Sequence, residues 1–190
     1  MIDKLSSRIG EDRISVIYHY CNFQNRKSQV TARILASLLK QVVSRLEVIP
    51  VEIDRVFQEA NQGCGARGLL VSEICKLLLA ALRSQKRTFI CIDALDECAT
   101  KHRPEFLRSL HSVVRSSPNV RLFLTGRPHI QAQLEEYHSR ALRIVLFKPV
   151  KRDIRIYLEM KLQDDPFPDA MDNGLEKGIM EVIPEMMSEM

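Results

Sequence analysis

The chain has 190 residues, of which 45% are hydrophobic and 27% charged, a globular composition of one-domain length with enough apolar content for a real core. Its net charge of +4 is small and both signs are interspersed, so the balance neither demands nor excludes nucleic acid. No uninterrupted apolar run reaches the roughly 18 residues needed to cross a membrane. The opening "MIDKLSSRIGEDR" has no signal-peptide core, and the five cysteines are an odd number standing mostly beside apolar segments. A reduced, intracellular and cytoplasmic protein is expected.

Taken in chain order, "SVIYHYCNF" (15–23) is rich in β-branched and aromatic residues and short, which predicts a buried strand. The segment "SQVTARILASLLKQVVSRLEV" sets Val30, Ile34, Leu35, Leu38, Leu39, Val42, Val43 and Leu46 on one helical face and closes near Pro50. "VEIDRVFQEA" predicts a further helix, followed by the glycine-rich "NQGCGARG". Ser72 is then placed to cap a helix carrying Ile74, Leu77, Leu78 and Leu82.

"TFICID" (88–93) is the second predicted strand, and Pro104 suits the first turn of a helix with Phe106, Leu107, Leu110, Val113 and Val114 inward. "VRLFLT" follows as a third strand, "GRPHIQAQLEEY" as a loop and short helix, and "ALRIVLF" as a fourth strand. "KRDIRIYLEMKL" predicts a helix with Ile154, Tyr157, Leu158 and Leu162 toward the core. Strand and helix alternate, the pattern of an α/β parallel sheet flanked by helices. Beyond Leu162 the texture turns acidic and methionine-rich. The expected organisation is a core over 1–162 and a linker plus the start of a helical region over 163–190, whose apolar Ile179, Met180, Ile183, Met186 and Met187 would need a partner outside the chain.

Asp93 closes an apolar strand and is followed closely by Asp96 and Glu97. Ligands of α/β sheets gather at the carboxyl ends of parallel strands. Carboxylates there suit a water-bound Mg²⁺ on a nucleoside triphosphate and a base for the attacking water. The plainer alternative makes Asp93 a strand-end cap and has Asp96 and Glu97 opening a helix, where the macrodipole favours acids. The third strand favours the first reading, because it too ends in a polar loop, "TGRP", which offers Arg127 to a phosphate.

"FICIDALDEC" resembles the Walker B segment of the NACHT group of signal-transduction NTPases (the STAND class), and "RLFLTGRP" is similar to the sensor strand of the same group. "KPVKRDIRIYLEMKL" is similar to the segment that leads from the last core strand into the following helical region. The resemblance covers roughly residues 1–187 and is best to the fungal, nephrocystin-type branch. It implies a three-layer P-loop NTPase-like fold that uses Mg²⁺ with ATP or GTP as a signalling switch. In it Asp93 would hold the metal through water, Glu97 with Asp96 would position the hydrolytic water, and Arg127 would sense the γ-phosphate, with Thr125, which ends the strand, beside it among the nucleotide-binding residues.

The phosphate loop of that group, G-x-x-x-x-G-K-[ST], does not occur, since no glycine of the chain is followed by lysine. The expectation is therefore a chain that begins just past this loop, with the first core strand missing as well, an incomplete sheet and no independent NTPase activity. The alternative is a non-catalytic interaction module that docks on full-length NACHT relatives or on its own copies. Gly63–Gly68 formally matches G-x-G-x-x-G but follows a helix, and reads as a connector. Cys98 and His102 have zinc-ligand spacing without a second pair, so a packed thiol and a surface imidazole are expected.

Overall fold

A computed structural model of the chain describes residues 14–25, 29–61, 68–138, 143–145, 150–165 and 172–188. The chain divides into two compact units, Met1–Leu142 and Arg143–Met190.

In the first unit the described strands are β1 (Ile14–Tyr20), β2 (Arg87–Asp93) and β3 (Val120–Leu124), and they form a parallel sheet in the order β1-β2-β3. The register pairs Ile17 with Ile90 and Ile90 with Leu122, so that side-chain alternation gives the sheet one face of Ile17, Ile90, Ile92, Val120, Leu122 and Leu124. Helices α1 (Thr31–Val43), α3 (Val71–Arg83) and α4 (Arg103–Ser116) share a single hydrophobic core with that face, and α2 (Val51–Asn61) adds Ile53 to it. Helical periodicity explains the arrangement: Ile34, Leu35, Leu38 and Val42 of α1, Leu78 and Leu82 of α3, and Phe106, Leu107 and Leu110 of α4 are all buried. Each contributes about 1.5–3 kcal/mol of transfer free energy. The opposite face carries Tyr18 and Phe123, each more than a third exposed, with Phe123 tilted against Phe89. Val16 and Cys91 lie on this same face and are buried, so it is only partly open to solvent.

The outer edge of β1 is closed by side chains. Gln41 of α1 accepts from the Tyr18 N–H at 2.9 Å and donates to the Tyr18 carbonyl at 2.8 Å, while Arg45 donates to the Val16 carbonyl at 2.7 Å. These bonds satisfy backbone groups that an edge strand otherwise presents to another chain.

Some expectations are corrected. The first strand ends at Tyr20, and Phe23–Asn25 form a 3₁₀ turn. Ser72 does not cap α3. It lies inside the first turn, and Glu73 reaches back to accept from the Leu70 N–H at 2.8 Å, satisfying a donor at the helix start. Of the expected fourth strand, residues 143–145 have no regular structure and the rest lies outside the described residues. Gly63–Gly68 likewise lies outside them apart from Gly68.

The second unit contains α6 (Lys151–Gln163) and α7 (Asn173–Ser188), while α5 (Gln131–His138) closes the first unit. Ile154, Leu158 and Leu162 are half-buried, whereas Tyr157 is 59% exposed, contrary to the predicted inward face. The methionine-rich helix packs on α6, so its half-buried Ile179, Met180 and Ile183 find a partner within the chain. Lys151 pairs with Glu185 between the two helices. Among the described residues no helix is long and apolar enough to cross a membrane.

Candidate functional site

The carboxyl ends of β2 and β3 meet in a turn held by one residue. Ala94, directly after Asp93, has φ 51° and ψ 48°, a left-handed conformation that costs an L-residue about 1–2 kcal/mol. Thr125, directly after β3, compensates with four hydrogen bonds from three groups. Its backbone N–H donates to the Ile92 carbonyl at 2.9 Å, and its carbonyl accepts from the Leu95 N–H at 2.8 Å. Its hydroxyl accepts from the Ala94 N–H at 2.9 Å and donates to Asp93 Oδ1 at 2.5 Å. The left-handed turn and the Asp93 carboxylate are thus set by the same side chain. Leu95, wholly buried, anchors the 3₁₀ turn Leu95–Glu97 that follows.

Asp96 is buried to 9% exposure, an unfavourable place for a carboxylate without partners. Its carboxylate has two polar contacts here, both from one residue. Oδ1 accepts from the Arg127 N–H at 3.3 Å, and Oδ2 lies 3.4 Å from Arg127 Nε. Gly126 is closely packed between these residues and Ile130: a Cβ there would lie 2.6 Å from Ile130 Cδ1 and 3.4 Å from Asp96 Oδ1. From beneath, the buried guanidinium of Arg103 donates to the Asp96 and Cys98 carbonyls at 2.8 and 2.9 Å and to Gln133 at 3.3 Å. Glu97 turns the other way, and its Oε2 accepts from the Phe23 N–H at 3.2 Å just beyond β1.

All five residues singled out in the sequence, Asp93, Asp96, Glu97, Thr125 and Arg127, therefore lie at the carboxyl end of the sheet. The three carboxylates do not converge. Asp93 is held toward β3, Asp96 toward Arg127, and Glu97 toward the end of β1. Among the described residues no group of three potential ligands is placed to enclose a metal ion, Cys98 and His102 included. Arg127 sets a positive charge beside Asp96.

Sequence reasoning missed Arg103, whose role depends on where the turn folds over it. It also missed Thr125 as the clamp on Asp93, having read it as the end of a strand. A hydroxyl aligned with the neighbouring strand's terminal carboxylate was the available signal. Cys21 and Cys98 are both buried and hydrogen-bonded to each other. That contact and burial push the Cys21 thiol well above its ordinary range, with the Arg103 cation acting in the opposite direction.

A protein-family model described as "Nephrocystin 3, N-terminal" matches residues 1–127. No curated protein matches the sequence. Among solved structures, a Walker-type ATPase of Pyrococcus abyssi is similar at 11% identity, with a TM-score of 0.44 over 98% of this chain and 64% of that one. The chain thus spans less than two thirds of that ATPase's length.

Proposed function

The chain belongs to the nephrocystin 3 N-terminal family, and from this premise we propose that it supplies the metal and sensor side of a nucleoside triphosphate site in a NACHT-type signalling switch. The observation that carries the reading is the placement of Asp93, Glu97, Thr125 and Arg127 around adjacent carboxyl ends of two parallel strands, where α/β sheets bind ligands.

The donor chemistry fits Mg²⁺. Asp93 offers hard carboxylate oxygen, and the Thr125 hydroxyl fixes its orientation in advance. Asp93 would hold the ion through water, and the bound ion would neutralise charge on the phosphates. Glu97 would accept a hydrogen bond from the attacking water and orient it, with Asp96 beside it. Arg127 is largely exposed and would exchange its contact with Asp96 for the γ-phosphate. A phosphate loop of the G-x-x-x-x-G-K-[ST] pattern does not occur in the 190 residues, so this reading assigns the chain metal and phosphate sensing and no turnover by itself.

Calorimetric titration of the chain with Mg·ATP and Mg·GTP tests the reading, with Asp93→Ala as control. Weak, Mg²⁺-dependent binding that disappears in the variant is the expected result. Binding that is unchanged by Asp93→Ala, or no Mg²⁺ dependence at all, overturns it. Tight binding abolished by the variant would show that these residues hold a triphosphate without a glycine-lysine loop.

A further inference from the structure

The two thiols beneath the acidic turn have no part in that reading. Cys21 follows β1, and its N–H donates to the Asp93 carbonyl at 3.0 Å, carrying the β1–β2 ladder one residue farther. Cys98 follows Glu97, and its N–H donates to the Leu95 carbonyl at 3.1 Å. The side chains are 5% and 0% exposed and lie in one buried cluster, where Cys98 is the hydrogen-bonding neighbour of the Cys21 thiol. A second bridge joins the same two segments, the bond from the Phe23 N–H to Glu97. Segments 21–23 and 97–98 therefore hold one relative position before any covalent link exists.

We propose that Cys21 and Cys98 form a redox-sensitive pair that small peroxides close to a disulfide, stapling the end of β1 to the acidic turn. The class of oxidant follows from burial. A pair with almost no surface admits a molecule of peroxide size far more readily than a bulky disulfide such as oxidised glutathione. Cys21, the one with measurable surface, reacts first: its sulfur attacks one peroxide oxygen, the O–O bond breaks, and the departing oxygen leaves as water with the thiol proton. The Cys98 sulfur then attacks the Cys21 sulfenic sulfur, the S–O bond breaks, and a second water leaves with the Cys98 proton. Two thiols and one peroxide become one disulfide and two waters. Burial and the mutual hydrogen bond keep the Cys21 proton in place, so the reaction runs slowly and through local opening, while Arg103 partly offsets them. The link joins residues far apart in sequence, the case in which a disulfide restricts the unfolded chain most.

The test treats the native full chain with hydrogen peroxide, alkylates remaining thiols in denaturant, and maps peptides without reduction. The expected product is a Cys21–Cys98 linked peptide in intact monomer, together with a rise in Tm of several degrees that dithiothreitol reverses. Cys91→Ser leaves both unchanged, and Cys98→Ser leaves Cys21 as a sulfenic acid trapped by dimedone. The wild-type map stands whether or not a cysteine variant folds. The proposal is overturned if Cys21 and Cys98 remain alkylatable while Cys64, Cys75 or Cys91 is oxidised, or if formation of the linked peptide leaves Tm unchanged.

Discussion

Arg127 reaches Asp96 with both its backbone N–H and its Nε, at 3.3 and 3.4 Å, yet Arg127 is 74% exposed while the Asp96 side chain is 8% exposed. The pair is asymmetric. Its basic member is free to leave into water or to a ligand, whereas its acidic member depends on what remains. Arg127→Ala is expected to lower stability by less than about 1 kcal/mol, because a solvated guanidinium contributes little. Asp96→Ala is expected to cost about 1–3 kcal/mol, since it leaves the Arg127 N–H without its acceptor and empties a buried site. Urea unfolding of the two variants checks the order, and equal losses would refute the asymmetry.

Thr125→Val keeps the shape of the side chain and removes the hydroxyl. It deprives Asp93 of a donor and the Ala94 N–H of an acceptor at once. A stability loss of about 1–3 kcal/mol is expected. If Asp93 holds Mg²⁺ as proposed, Mg²⁺-dependent nucleotide binding falls in the same variant, whereas Thr125→Ser keeps most of both. Loss of stability without any loss of binding would separate the clamp from the site.

Ala94 is the only non-glycine residue with positive φ among the described residues. Ala94→Gly is expected to raise stability by about 0.5–1 kcal/mol, the released strain exceeding the extra entropy of the unfolded chain. Ala94→Val adds β-branching to a left-handed backbone and lowers stability. A thermal melt in which glycine is the worse of the two would contradict the assignment.

His19 of β1 is half-buried, with a buried Nε2 that has no hydrogen-bond partner, and burial lowers its pKa from the ordinary value of 6.5. The folded state therefore binds the proton less readily than the unfolded state. Its contribution to stability is full above pH 6.5 and declines as the pH falls through the lower folded value. His19→Leu is expected to flatten stability between about pH 5 and 7, measured by denaturant titration at each pH. An identical slope in the variant would exclude His19 as its source.

Gly126→Ala sets a methyl group against Ile130, which is 3% exposed and cannot swing outward freely. A loss of about 1–3 kcal/mol is expected. Ile130→Val in the same chain should recover part of it, and a double mutant no better than the sum of the singles would place the strain elsewhere.

The parallel sheet with helices between its strands was legible because local pattern and tertiary role agree. "TFICID" and "VRLFLT" are short, apolar and end in polar residues, and α1 repeats Ile34, Leu38 and Val42 at helical spacing. Where the readings departed, a partner decided the outcome. Tyr157 has helical spacing but stays exposed, while Ile154, Leu158 and Leu162 of the helix that packs on α7 are half-buried. Residues 143–145 match a strand in composition but have no regular structure, as a short apolar run alone does not specify one. The acidic cluster was readable as a cluster. The separate directions of its three carboxylates were not, because each is set by a residue distant in sequence: Thr125, Arg127 and the Phe23 backbone.

The bonds from Gln41 and Arg45 hold the margin of β1. One border is occupied by side chains of the same molecule, and among the described residues β3 pairs with β2 alone. An incoming strand on the β1 side must first displace Gln41 and Arg45 from bonds already made, and at β3 the Arg121 guanidinium likewise donates to the Val120 carbonyl at 2.9 Å. Extension of the sheet past β1 therefore competes with bonds the molecule already makes to itself, and the helix that supplies Gln41 also supplies core residues beneath the same strand.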